Sequence, residues 1–116
     1  MTAAELDHRE LVTLLATLGL MARLDGDASS EEVDFLDEIA ADVGEERFGK
    51  AATEAAQFAD AEAIVRNAGQ VSRPEARELI FSLLYEMALA ESIVAREAEL
   101  LDKLASIWGL PQRAGA

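Results

Sequence analysis

At 116 residues the chain has the length of one domain. Hydrophobic residues make up 51% of it, enough for a real core, which sets aside disorder. Twenty-three acidic residues against 10 Lys and Arg leave a net charge of −13, which repels nucleic-acid backbones and anionic membrane surfaces and suits cations or basic protein surfaces. Cysteine is absent, so there is no disulfide frame, no thiolate nucleophile and no thiolate metal site.

Alanine, leucine and glutamate dominate, and β-branched and aromatic residues never alternate over a useful length, so every element is expected to be helical. Thr2-Ala3-Ala4-Glu5 has capping-box spacing and predicts a first helix from about residue 3 to 24. Its second half is apolar on most sides and asks for burial all round. The richest part, Leu11 to Leu24, holds Thr13, Thr17, Gly19 and Arg23 and is too short to span a bilayer, so no membrane insertion is expected. The opening Met1 to Asp7 lacks the basic start and apolar run of a signal peptide, which makes the cytoplasm the expected location.

Asp25-Gly26-Asp27-Ala28 breaks the helix, and Ser29-Ser30-Glu31-Glu32 starts the next with capping-box spacing. Val33, Leu36, Ile39, Ala40 and Val43 are expected to face inward there, with Phe35 beside them and Gly44 as the stop. A third helix over about 46–58 carries the narrow seam Phe48, Ala51, Ala52, Ala55, Phe58 and Ala59. Asp60 caps a short fourth through Ala68, and Gly69-Gln70-Val71 is a connector. Ser72-Arg73-Pro74-Glu75 opens a fifth, mostly apolar helix to about Ala90. The last runs from Arg96 to Trp108 with Leu101, Leu104, Ala105 and Trp108 inward, stopped by Gly109 and Pro111, with a loose tail at 111–116.

The chain repeats itself. Met21-Ala22-Arg23-Leu24-Asp25-Gly26, running through Phe35-Leu36-Asp37-Glu38-Ile39-Ala40 to Gly44, matches Met87-Ala88-Leu89-Ala90-Glu91-Ser92, running through Leu100-Leu101-Asp102-Lys103-Leu104-Ala105 to Gly109, once a residue is deleted from the second turn. Each copy is an apolar helix, a short polar turn and an acidic amphipathic helix, and such a repeat constrains the whole architecture. The expected fold is all-α: a single domain over 1–116, a compact bundle of about six to seven helices with an internal pseudo-two-fold, its halves at about 9–44 and 76–110. The two apolar helices should sit centrally and the acidic ones outside.

An apolar helix ending in Ala-x-x-Asp-Gly, then a turn and a Glu-rich helix ending at Gly, resembles the TerB-like superfamily over about residues 9 to 110. The family includes the TerB proteins of bacterial tellurite-resistance systems and the N-terminal domain of a membrane-anchored DnaJ-type co-chaperone. This chain carries no J-domain signature and no anchor, so it is most similar to the stand-alone TerB form. The resemblance implies a stress-response role and, in some members, divalent metal held by acidic residues at the turns. Asp25 fits that position in the first copy, while Glu91-Ser92 replaces Asp-Gly in the second.

Leu24 to Glu46 holds ten carboxylates and no Lys or Arg. Asp25-Gly26-Asp27-Ala28-Ser29 places oxygens at alternate positions, yet Ser30 and Leu36 stand where a calcium loop needs glycine and glutamate, so this is no EF-hand. A different oxygen shell is conceivable, with Asp25, Asp27 and Glu32 at one bend and Glu91 and Glu97 at the other as candidate metal ligands for Ca, Mg or Mn. The plainer account is that Ser29 and Glu32 cap a helix and the aspartates shape a solvated turn. His8 follows Glu5 at di-iron spacing, but no second histidine exists to complete such a site, so it reads as a surface residue.

No catalytic residue emerges. Serines 29, 30 and 72 fall at helix starts, there is no nucleophile elbow, phosphate loop or dinucleotide fingerprint, and nothing marks an apolar cleft around a carboxylate. Trp108, Tyr85 and the phenylalanines fall at core spacing. Two readings follow, both non-enzymatic: a TerB-like stress-response domain binding a divalent cation at its acidic turns, or an acidic interaction module that docks a basic protein or a second copy of itself.

Overall fold

The computed structural model describes residues 1–25, 30–58, 60–90 and 95–110. A 3-10 turn at Ala3–Glu5 leads into six α-helices: α1 (His8–Asp25), α2 (Ser30–Val43), α3 (Glu45–Ala55), α4 (Ala61–Ala68), α5 (Pro74–Ala90) and α6 (Ala95–Trp108). No strand occurs among the described residues. The radius of gyration is 12.8 Å, near the roughly 13 Å of a compact domain this size. No helix among the described residues is long and apolar enough to cross a membrane.

α1 runs through the middle, packed on α3 above all and also on α4, α5 and α6. Leu11, Val12 and Leu14 are fully buried along it, and Thr13 and Thr17 accompany them by returning their hydroxyls to the carbonyls of Arg9 and Thr13 at 2.9 and 2.8 Å. Such back-bonding removes the cost of burying a hydroxyl. The Thr13 hydroxyl also accepts from Asn67 Nδ2 on α4 at 2.8 Å. α5 packs on α6, α1 and α2, with Ile80 and Leu84 fully enclosed. The last helix seats Leu101, Leu104, Ala105 and Trp108 in the core, as its spacing predicts. Trp108 Nε1 donates to the Ala68 carbonyl at 2.8 Å and so ties α6 to the end of α4.

Five pairs matched in the repeat are buried in both copies, Leu14 with Ile80, Leu18 with Leu84, Met21 with Met87, Ile39 with Leu104, and Val43 with Trp108, whereas buried Leu20 matches exposed Glu86. Gly44 and Gly109, also matched, are the positive-φ glycines of the described residues, at 94° and 68°. At Gly109 the Leu110 amide returns to the Ala105 carbonyl at 2.8 Å, the wrap of a Schellman stop. Gly44 instead turns the chain straight into α3, its carbonyl accepting the first α3 bond from the Phe48 amide at 3.0 Å. A side chain at either site would strain the backbone.

Three expectations need correction. The first helix does not run from residue 3. Two capping arrangements follow one another: Glu5 Oε2 accepts the Thr2 amide at 2.8 Å, and then Asp7 Oδ1 accepts the Glu10 amide while Glu10 Oε1 accepts the Asp7 amide. The second, complete box restarts the chain as α1 and leaves Leu6 buried at the bend. Val33 is not inward but 49% exposed, because Glu32 takes the inward line with Leu36, Ile39 and Val43. The fifth helix begins with Arg73, rather than Ser72, at the cap, since the Arg73 carbonyl accepts the Arg77 amide at 3.0 Å. The connector residue Val71 is itself core.

Candidate functional site

The chain has an apolar cleft that its sequence does not announce. A pocket of about 360 Å3 opens between α1, α2 and α3, with Leu15, Leu18 and Gly19 on one wall, Phe35 and Phe48 on the others, and Met87 of α5 behind. Glu32 and Arg23 both lie in its lining. The phenylalanines stand here half-buried rather than sealed in the core. A cavity exists because alanines line α3 on this side, at Ala52, Ala55 and Ala56, where larger residues would close it.

Gly19 is the glycine of the α1 wall. It lies mid-helix, where glycine costs about 1 kcal/mol relative to alanine. No left-handed backbone explains it, since the positive-φ glycines among the described residues are Gly44 and Gly109. No close approach explains it either: outside its own helix backbone, a Cβ there meets Arg23 Nη1 at 3.9 Å, ordinary contact. Its position places a residue without a side chain in the wall of the pocket.

The helix that gives Glu32, Phe35 and Leu36 to the pocket is acidic. α2 carries six carboxylates and no Lys or Arg. Asp34, Asp37, Glu38 and Asp42 are all exposed. Glu38 and Asp42 follow Phe35 at three and seven residues, so they continue the stripe on which Phe35 meets the pocket.

Of the five candidate metal ligands, Glu32 and Glu97 are buried, at 7% and 1% exposure, and they match each other in the repeat. Asp25 ends α1, but its side chain lies outside the described residues, as do Asp27 and Glu91 entirely. The structure therefore does not bring the five together or separate them. Among the described residues no three His, Asp or Glu side chains cluster as a metal shell would require. His8 is on the surface, 3.3 Å from Glu54 Oε1.

One buried carboxylate was missed by sequence reasoning. Glu10, 2% exposed, receives Arg73 Nε on Oε2 at 2.8 Å and Nη2 on Oε1 at 2.5 Å, while Nη2 also reaches the Glu5 carbonyl. The Arg73 hydrogen bond holds the Glu10 carboxyl below its usual range against the upward push of burial, and the Asp7 amide adds to the lowering. The pair joins the starts of α1 and α5 and is structural. Its two members stand 63 positions apart, so no local pattern could reveal it.

No family model, curated protein or solved structure matches the chain.

Proposed function

We propose that the chain is a non-enzymatic TerB-like domain that acts in a bacterial stress-response or tellurite-resistance system, in the cytoplasm, by binding a basic protein partner. The observation that carries this reading is an open apolar pocket walled in part by α2, whose exposed Glu38 and Asp42 continue the line of Phe35 in that wall. Charge on a rim governs encounter and selects the partner's sign, while apolar surface supplies affinity. The repeated sequence pattern, an apolar helix, an acidic bend and a Glu-rich helix ending at Gly, supports the TerB-like part. A pull-down from the native host, repeated with Glu38→Lys and Asp42→Lys, tests it. Partners that disappear with the charge reversal support the module, and an unchanged partner set overturns it.

A second reading, a divalent cation at the acidic bends, is favoured by the matched burial of Glu32 and Glu97. Titration calorimetry with calcium, magnesium and manganese should show heat that Asp25→Asn combined with Glu32→Gln removes. No heat at millimolar metal discards this reading.

A further inference from the structure

We propose that the pocket between α1, α2 and α3 seats a large apolar side chain from a cationic amphipathic helix, whose Lys and Arg residues lie along Glu38 and Asp42. This rests on the reading of the chain as an interaction module and names the partner's chemistry. Three observations converge on it. The pocket, at about 360 Å3, is walled by leucines, phenylalanines and Met87, side chains that adapt to an inserted apolar group. Gly19 leaves its α1 wall without a side chain there, at a cost to helix stability that neither backbone conformation nor close packing requires. The helix that supplies Phe35 to the pocket continues that residue's line with the exposed Glu38 and Asp42, in a chain of net charge −13.

Charge chooses among occupants. A fatty acid or other anionic amphiphile meets Glu32 in the lining and the acids outside, with Arg23 as a lone counterweight. A neutral small ligand has no use for the acids of α2. A second copy of this chain brings the same surplus of negative charge to the contact. A helix with apolar residues on one face and Lys or Arg beside them uses both the pocket and the acids of α2, in the helix-in-groove manner.

The probe is a labelled amphipathic peptide of leucine and lysine, roughly 18 residues long so that it can hold a helix. Its control has glutamate in place of lysine. Anisotropy should show the Leu/Lys peptide binding, more weakly as salt rises, and the Leu/Glu peptide not binding. Glu38→Lys with Asp42→Lys should weaken binding at least about tenfold, as should Gly19→Leu, which fills the pocket. Should Gly19→Leu unfold the chain, the wild type carries the test through its three methionine methyls, of which Met87 lines the pocket and Met1 does not. Their NMR signals should move at Met87 and stay still at Met1.

Binding without movement at Met87, or equal binding to folded Gly19→Leu, overturns the pocket proposal and leaves the acidic module standing. Equal binding of the Leu/Glu peptide overturns it as well. So does occupation of the pocket by indole with which the Leu/Lys peptide fails to compete. If host partners vanish with the α2 charge reversal yet persist with Gly19→Leu, the proposed function survives and this occupant does not.

Discussion

Gly19 on α1 and Tyr85 on α5 hold matching places in the repeat, and around them the two halves diverge. Tyr85 stacks on Phe81 with ring centroids 6.2 Å apart. The residue matched to Phe81 is Leu15, a wall of the pocket. One copy of the same apolar helix is thus filled with aromatic rings where the other is hollow. The difference extends to the helix starts. Carried back toward the N-terminus, the match pairs Asp7 with Arg73: Asp7 caps its own helix through Glu10, and Arg73 reaches across to that same Glu10. The matched stretches share several buried positions, yet the surroundings of Gly19 are open where those of Tyr85 are filled.

The largest test of this contrast is a matched pair of truncations. Leu84→Ala empties a fully enclosed site and should cost about 4–5 kcal/mol, whereas Leu18→Ala borders existing space and should cost about 2–3 kcal/mol. Urea unfolding measures both, and equal losses would mean that α1 is as tightly packed as α5.

Acid denaturation sharpens the contrast at the helix starts. A carboxyl held low in the folded state stabilises it above the unfolded value of about 4.5, and that contribution is lost as pH falls through the folded value. Arg73→Ala removes the main lowering influence and leaves Glu10 to burial, so unfolding should begin at a higher pH than in the wild type. Coincident acid transitions would show that Arg73 does not hold Glu10.

Smaller effects follow at single positions. Asp7→Ala removes the side-chain cap of α1 and should cost about 1 kcal/mol in chemical denaturation. Thr2→Ala should cost less, because the Glu5 bond to the Thr2 amide survives it. Gly19→Ala should stabilise by about 0.5–1 kcal/mol, since alanine suits an ordinary helical position and its Cβ has room. A thermal midpoint that falls instead would show that the glycine answers a steric need.

Helix type and the inward lines of α5 and α6 were readable from spacing, because one side of each helix must leave water and apolar residues record which. The stripe of α2 misled at one position. Counting apolar residues placed Val33 inward, whereas the helical period of α2 gives that line to Glu32, a polar residue that no hydrophobic count selects. The break before α1 had its own signal in Asp7-His8-Arg9-Glu10, masked by the Thr2 to Glu5 pattern just ahead of it. The pocket had almost none. A void is set by how three helices splay, and its one local trace was a glycine inside an otherwise oily helix. The proposed cation ligands were chosen from charge and turn position, and Asp27 and Glu91 fall outside the described residues.

Trp108 is the chain's one tryptophan, and its indole is clamped to the Ala68 carbonyl. Its emission therefore arises from a single enclosed ring at the seam of α4 and α6, well removed in the chain from α2. A red shift during denaturation reports that seam coming undone. An unshifted spectrum while something occupies the far side would show the two regions to be optically and mechanically independent.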